Sequence, residues 1–166
     1  LLRAHRRDPR GALPQGPGVT SALDAHLGYW LRFVSNHVSH AFKTKVEAQG
    51  VTVAEWVVLR WLFDHKSARP SQLAEGVGLT RGAVSKLVDR LVVKHLVTCV
   101  ADEHDRRAQR VALTAAGRRL VPRLAALADQ NDAEAFGHLD GSERAALLET
   151  LQRMAQHHGL RGAPLE

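Results

Sequence analysis

Cysteine is almost absent from this chain: Cys99 stands alone among 166 residues. A single thiol excludes an internal disulfide and any cysteine-based zinc set within one chain, and it fits a reducing compartment. No apolar run approaches the roughly 20 residues that a bilayer span requires, and the first residues lack the uninterrupted apolar core of a signal peptide. A cytoplasmic protein is expected. Glycine-rich phosphate loops, nucleophile elbows and regularly spaced metal ligands are also missing, so the sequence gives no support to an enzyme. Acidic residues are the minority charge. With 23 Lys and Arg against 17 Asp and Glu, the formal net charge is +6, which favours an anionic polymer or surface as partner. The 45% apolar content suffices for one sizeable core.

Against that background one stretch is informative, Thr80 to Lys94. Val84, Leu87, Val88 and Leu91 recur at helical spacing and define an apolar face, while Arg81, Gly82, Ser85, Lys86 and Asp89 fall on the opposite face. Thr80 is suited to cap the helix, and Gly78 permits the left-handed residue that ends a preceding short helix, Pro70 to Val77. Two short helices joined by a tight glycine turn fit a helix-turn-helix whose second helix enters a major groove. Gly82 and Ser85 let the backbone approach the duplex. On this reading Thr80, Arg81, Gly82, Ser85, Lys86 and Arg90 are the candidate DNA contacts of the recognition helix. For the stretch taken alone, an ordinary surface helix with a solvated face accounts for the pattern equally well.

The following residues favour the DNA reader. Leu96–Val100 and Gln109–Leu113 predict two strands around a charged loop containing Asp105, Arg106 and Arg107. A hairpin after a helix-turn-helix is a wing, and adjacent arginines at its tip suit a narrow minor groove. Asp105 is placed to hold the arginine extended. Cys99 falls in this hairpin as a small packing residue.

The rest of the chain is helical. Leu23 through Val46 keeps three-or-four spacing up to Gly50 and predicts a first helix of about seven turns, too wide in its apolar stripe for a small winged lobe to cover. A second chain is therefore expected against it, giving a homodimer. His37 and His40 lie on this helix without a third ligand at fixed spacing. Thr52 and Glu55 form a capping box for a second helix, Trp56 to Phe63, interrupted only by Arg60. Thr114 opens a further helix, in which Pro122 predicts an early bend, and Asp140 with Glu143 caps a last one from Gly141 to His158. Residues 1–20, rich in Arg, Pro and Gly, read as a mobile basic arm, either touching phosphate or solvated. The predicted architecture is mainly α with a small β-hairpin wing. It divides into a helical dimerisation region at 21–50 and 115–158, a winged helix-turn-helix lobe at 51–114, and a tail at 159–166.

Over residues 22–158 the chain resembles the MarR family of bacterial transcription regulators. The wing motif Asp105-Arg106-Arg107, then Leu113-Thr114 and Gly117, matches the family pattern, as do Ser71-Gln72-Leu73-Ala74 and Leu79 through Leu91. The resemblance implies a homodimer built from the first and last helices, two winged lobes, a near-palindromic operator on double-stranded DNA, and repression relieved by a small molecule. The family's peroxide sensors carry a cysteine near the start of the first helix, which this chain lacks, and no metal-sensor ligand set is present. Neither a cofactor nor a metal is expected.

An effector pocket can be sketched from Arg60, which must find an anionic partner if drawn inward. That partner is either Asp64, four residues on, or the carboxylate of a small aromatic acid or phenolic effector lying among Trp56 and Trp30. The alternative to a ligand-responsive repressor is a winged-helix architectural or protein-interaction module. It would use the same basic surface without base readout, and would not need directional groups such as Ser85, Lys86 and Arg81.

Overall fold

The computed structural model describes residues 20–101 and 109–162. Its backbone separates into two compact units, the first ending at Ser35 and the second beginning at Asn36, so the division falls inside the first long helix. In the first unit a 3-10 turn at Leu23–Ala25 precedes helix α1, Leu27–Glu47. The periodic stretch beginning at Leu23 is thus interrupted. His26 adopts an extended backbone, and the Trp30 indole N–H donates to the Asp24 carbonyl at 2.8 Å, holding the turn beside the helix start.

The second unit contains the remainder of α1, then α2 (Val53–His65), β1 (Ser67–Ala68), α3 (Pro70–Val77), α4 (Arg81–Val93), β2 (Val97–Ala101), β3 (Gln109–Leu113), α5 (Ala115–Phe136) and α6 (Gly141–His157). Fold class is as the sequence predicts: mainly helical, with a small antiparallel sheet of order β1-β3-β2. Strand β1 is the element the sequence hides. Its two residues pair with Ala112 and Val111, and Arg110 secures it by donating to the Ser67 hydroxyl at 2.9 Å and the Ser67 carbonyl at 2.8 Å.

One apolar core joins the helix-turn-helix to the sheet. Leu59 and Leu62 of α2, Leu73 and Val77 of α3, Val84, Leu87 and Leu91 of α4, Val97 and Val111 of the hairpin, and Val121 and Leu124 of α5 are all buried. Fully burying side chains of this size contributes about 1.5–3 kcal/mol each. α2 reads as an almost unbroken apolar run because it packs against α3, α4 and α5 and also against β1 and β3. α6 differs, since none of its residues is buried and Leu147, Leu148, Leu151 and Met154 stand exposed. Helix α5 continues through Pro122 to Phe136, although the proline removes one interior amide donor.

Two glycines have fixed tasks. Gly78 ends α3 in the left-handed region at φ 70°, where a side chain would be strained, and so makes the turn into α4. Gly117, buried in the first turn of α5, donates its N–H to the Thr114 hydroxyl at 3.0 Å and lies so close to the Leu96 carbonyl that an added Cβ would collide with that backbone oxygen. Thr114 ties the same place, donating to the His95 carbonyl at 2.8 Å. Gly117→Ala should therefore push α5 off the α4–β2 turn and destabilise the fold by about 1–3 kcal/mol. A lowered urea midpoint is the expected reading, and an unchanged one would show that α5 can shift without cost.

Candidate nucleic-acid interface

Helix α4 is oriented by its apolar face. Val84, Leu87, Val88 and Leu91 are buried, which leaves Arg81, Gly82, Ser85, Lys86, Asp89 and Arg90 exposed together on the outside. Thr80 caps the helix as the sequence predicts, its hydroxyl accepting from the Ala83 N–H at 3.2 Å. The remaining free amides of the first turn point out of the helix start, which favours an approaching phosphate. Nothing lies within 4 Å of a Cβ added at Gly82, so this glycine keeps the outer surface of the first turn low without serving packing.

The hairpin lies directly after α4. Val97 to Ala101 pairs antiparallel with Leu113 to Gln109, the first pair of this register being Val97 with Leu113. Asp105, Arg106 and Arg107 of the wing lie outside the described residues, as does the basic arm apart from Thr20.

A contact that sequence reasoning missed secures the far end of α4. Glu55, known from the sequence only as a capping residue, is fully buried. Its Oε2 accepts from the Thr52 N–H at 2.7 Å and from Lys94 Nζ at 2.7 Å, and Lys94 also donates to the Gly50 carbonyl at 2.8 Å. Arg90 Nε stands 3.8 Å from Glu55 Oε1. Burial is the largest single influence on this carboxyl and would raise its pKa. The hydrogen bonds from Lys94 and the Thr52 amide, with the charges of Lys94 and Arg90, together outweigh it and hold the group below its ordinary value. The capping spacing Thr52-x-x-Glu55 was legible, whereas Lys94, 39 residues away, was not.

Of the two partners that the sequence offers Arg60, the structure shows the local one, Asp64. Arg60 is not drawn inward: its exposed guanidinium pairs with Asp64 at 2.7 Å and lies over the Phe63 ring, with 5.9 Å to the centroid. Its charge is satisfied within one turn, so burial imposes no demand for a ligand anion. Trp56 is half-buried against the core of the second unit. Trp30 belongs to the first unit, where it is half-exposed and meets Tyr29 and Phe33 edge to face. Among the described residues no group of three or more His, Cys, Asp or Glu is placed to hold a metal ion. Nor is any described helix long and apolar enough to cross a membrane.

A glycine-turned helix pair whose second helix exposes a polar, basic face, followed at once by an antiparallel hairpin, defines a winged helix-turn-helix protein that binds DNA. Residues 49–108 match the MarR family model, and over that stretch the chain resembles this family of transcriptional regulators. It is similar to the transcriptional repressor NicR of Pseudomonas putida, with 27% identity over 77% of this chain and 81% of that protein. Among solved structures it resembles BpsR of Bordetella bronchiseptica, whose DNA binding is regulated by 6-hydroxynicotinic acid. The TM-score is 0.71 at 26% identity, covering 82% of this chain and 98% of that one. CouR of Rhodococcus jostii, solved with p-coumaroyl-CoA bound, aligns with a TM-score of 0.67 at 28% identity, over 82% of this chain and 96% of its own. The chains it resembles are regulators, not enzymes.

The Glu55 site predicts a pH dependence of stability. Because its folded-state pKa is depressed, the native state favours the ionised form. The resulting stabilisation is fully present above the ordinary glutamate value of about 4.3 and is lost as pH falls through the lower folded value. Urea midpoints of the wild type should drop on acidification below about pH 5 more steeply than those of Glu55→Gln, other carboxylates being common to both. Parallel curves would show that Glu55 titrates alike in the folded and unfolded chain.

Proposed function

We propose that this regulator is a cytoplasmic, ligand-responsive repressor that binds a near-palindromic operator as a homodimer. The α4 helices would enter successive major grooves about 34 Å apart. The observation that carries this reading is the outward face of α4, where Arg81, Ser85 and Lys86 stand around the open Gly82 and Arg90 follows in the last turn, while the other face is locked into the core. The exposed apolar residues of α6, and Leu27, Leu31 and Val34 of α1, support a second copy as partner. Residues 21–50 and 115–158 would form the dimerisation region and 51–114 the DNA-binding lobe.

Selection from a random duplex pool, followed by footprinting, should give a near-palindrome protected on both half-sites. Lys86→Ala should relax base preference within it, as removal of a base-edge reader does. Binding random duplex as tightly as any selected sequence at about 150 mM salt would instead support the architectural alternative.

From the wing, Arg107, with Arg106 beside it and Asp105 holding it extended, is proposed to enter the minor groove. Arg107→Ala should weaken binding of the selected duplex by about 1–3 kcal/mol while leaving the thermal midpoint unchanged. Full affinity in that variant would remove the wing from recognition.

For the effector, a small aromatic acid or phenol is favoured by 6-hydroxynicotinic acid, which regulates DNA binding of BpsR. It acts only through unequal affinity for DNA-competent and DNA-incompetent forms, about 1–3 kcal/mol of coupling being typical. Trp56 and Arg60, which share the second unit, are the proposed contacts. An aromatic carboxylate that releases the duplex equally from wild type and Arg60→Ala would reduce Arg60 to its local pair with Asp64.

A further inference from the structure

Glu55 is used twice at one oxygen and not at all at the other. Oε2 takes the Thr52 amide and the Lys94 ammonium, whereas Oε1 is buried and accepts no hydrogen bond among the described residues. A buried carboxylate oxygen is seldom left without a donor, because nothing replaces the water it gave up. The nearest charged donor is Arg90 Nε at 3.8 Å, just beyond hydrogen-bond reach. Arg90 sits in the last turn of α4, and its side chain is 57% exposed.

An arginine has two usable edges. A carboxylate placed against Nε engages the inner part of the guanidinium, and the terminal amino groups remain free to meet a phosphate oxygen pair. Lys94 cannot play that part while its ammonium is committed to Glu55 and to the Gly50 carbonyl. The base of this arrangement is rigid. Glu55 is anchored in the capping box of α2, so the carboxylate cannot follow the arginine, and any closure of the gap must come from the Arg90 side.

We propose that Glu55 is a positioning residue for DNA binding: when the duplex is engaged, Arg90 closes its Nε onto Glu55 Oε1 and presents its terminal amino groups to a backbone phosphate. This rests on the DNA-binding reading of α4 and adds a residue that never touches the nucleic acid. It also divides the exposed basic residues of α4 by role. Arg90 contacts the backbone at the end of the helix, while Arg81 and Lys86 remain near the groove at its start.

The test is a double-mutant cycle on a duplex selected with the wild-type protein, read by fluorescence anisotropy across a salt series. Arg90→Ala and Glu55→Gln should each weaken binding about tenfold and lower the salt slope by about one phosphate contact. In the Arg90→Ala background, Glu55→Gln should change affinity by less than about twofold, because the residue it positions is gone. Equal losses in both backgrounds would make Glu55 a structural cap only, and no loss in the wild-type background would overturn the proposal outright. Should Glu55→Gln fail to fold, Arg90→Lys decides. It keeps the charge on an exposed site but has no Nε edge, so it should bind as weakly as Arg90→Ala, and wild-type affinity would overturn the positioning role. Failure of the wild type to enrich any duplex would defeat the DNA-binding reading itself, a result distinct from all of these.

Discussion

Burial of one face of α4 is the constraint on which the rest of the molecule depends. Val84, Leu87, Val88 and Leu91 have to leave water, and α2, α3 and the hairpin are the surfaces that receive them. Once that face is fixed, rotation of the helix about its axis is no longer free. Arg81, Gly82, Ser85, Lys86 and Arg90 then point outward without any one of them contributing to the core. The polar face can change with little consequence for folding, whereas the apolar one cannot. Such separation lets one scaffold carry different recognition surfaces.

The two ends of α4 are held by different chemistry. At the start, a threonine hydroxyl and a left-handed glycine define where the helix begins, both local to a few residues of chain. At the end, a buried carboxylate from α2 reaches the lysine that follows the helix, and that lysine reaches back to the carbonyl of Gly50. The second arrangement ties the end of the recognition helix to the corner between α1 and α2. A shift at that corner is therefore transmitted to α4 through charged hydrogen bonds, which are strongly distance-dependent.

Most of this fold was legible because its signals are local or periodic. The stripe of α4, the Thr80 cap, the Gly78 turn and the Asp140 capping box all depend on residues within one or two turns of each other. What escaped detection depends on distant partners. Strand β1 is only Ser67–Ala68, too short for a periodic pattern, and it exists because β3 and Arg110 are there to meet it. Glu55 reads as half of a capping box, and nothing in its neighbourhood announces Lys94. For Arg60 the sequence leaves two partners open, and the local one, Asp64, is the one present. An arginine inside an apolar run suggests burial, yet the run winds around a helix, and position 60 falls on the one side that faces solvent beside Asp64. The interruption near His26 also went unseen, since the apolar spacing passes through it while the backbone does not.

The lone cysteine acquires a use from its place in the hairpin. Cys99 is exposed on β2, opposite Val111 in the register. A maleimide dye or nitroxide would attach at one chemically unique point, a few residues along the strand from the loop that leads to the wing tip. In a two-copy assembly such a probe yields a single inter-label distance, so the spacing between the two DNA-reading lobes could be followed spectroscopically without altering any native residue.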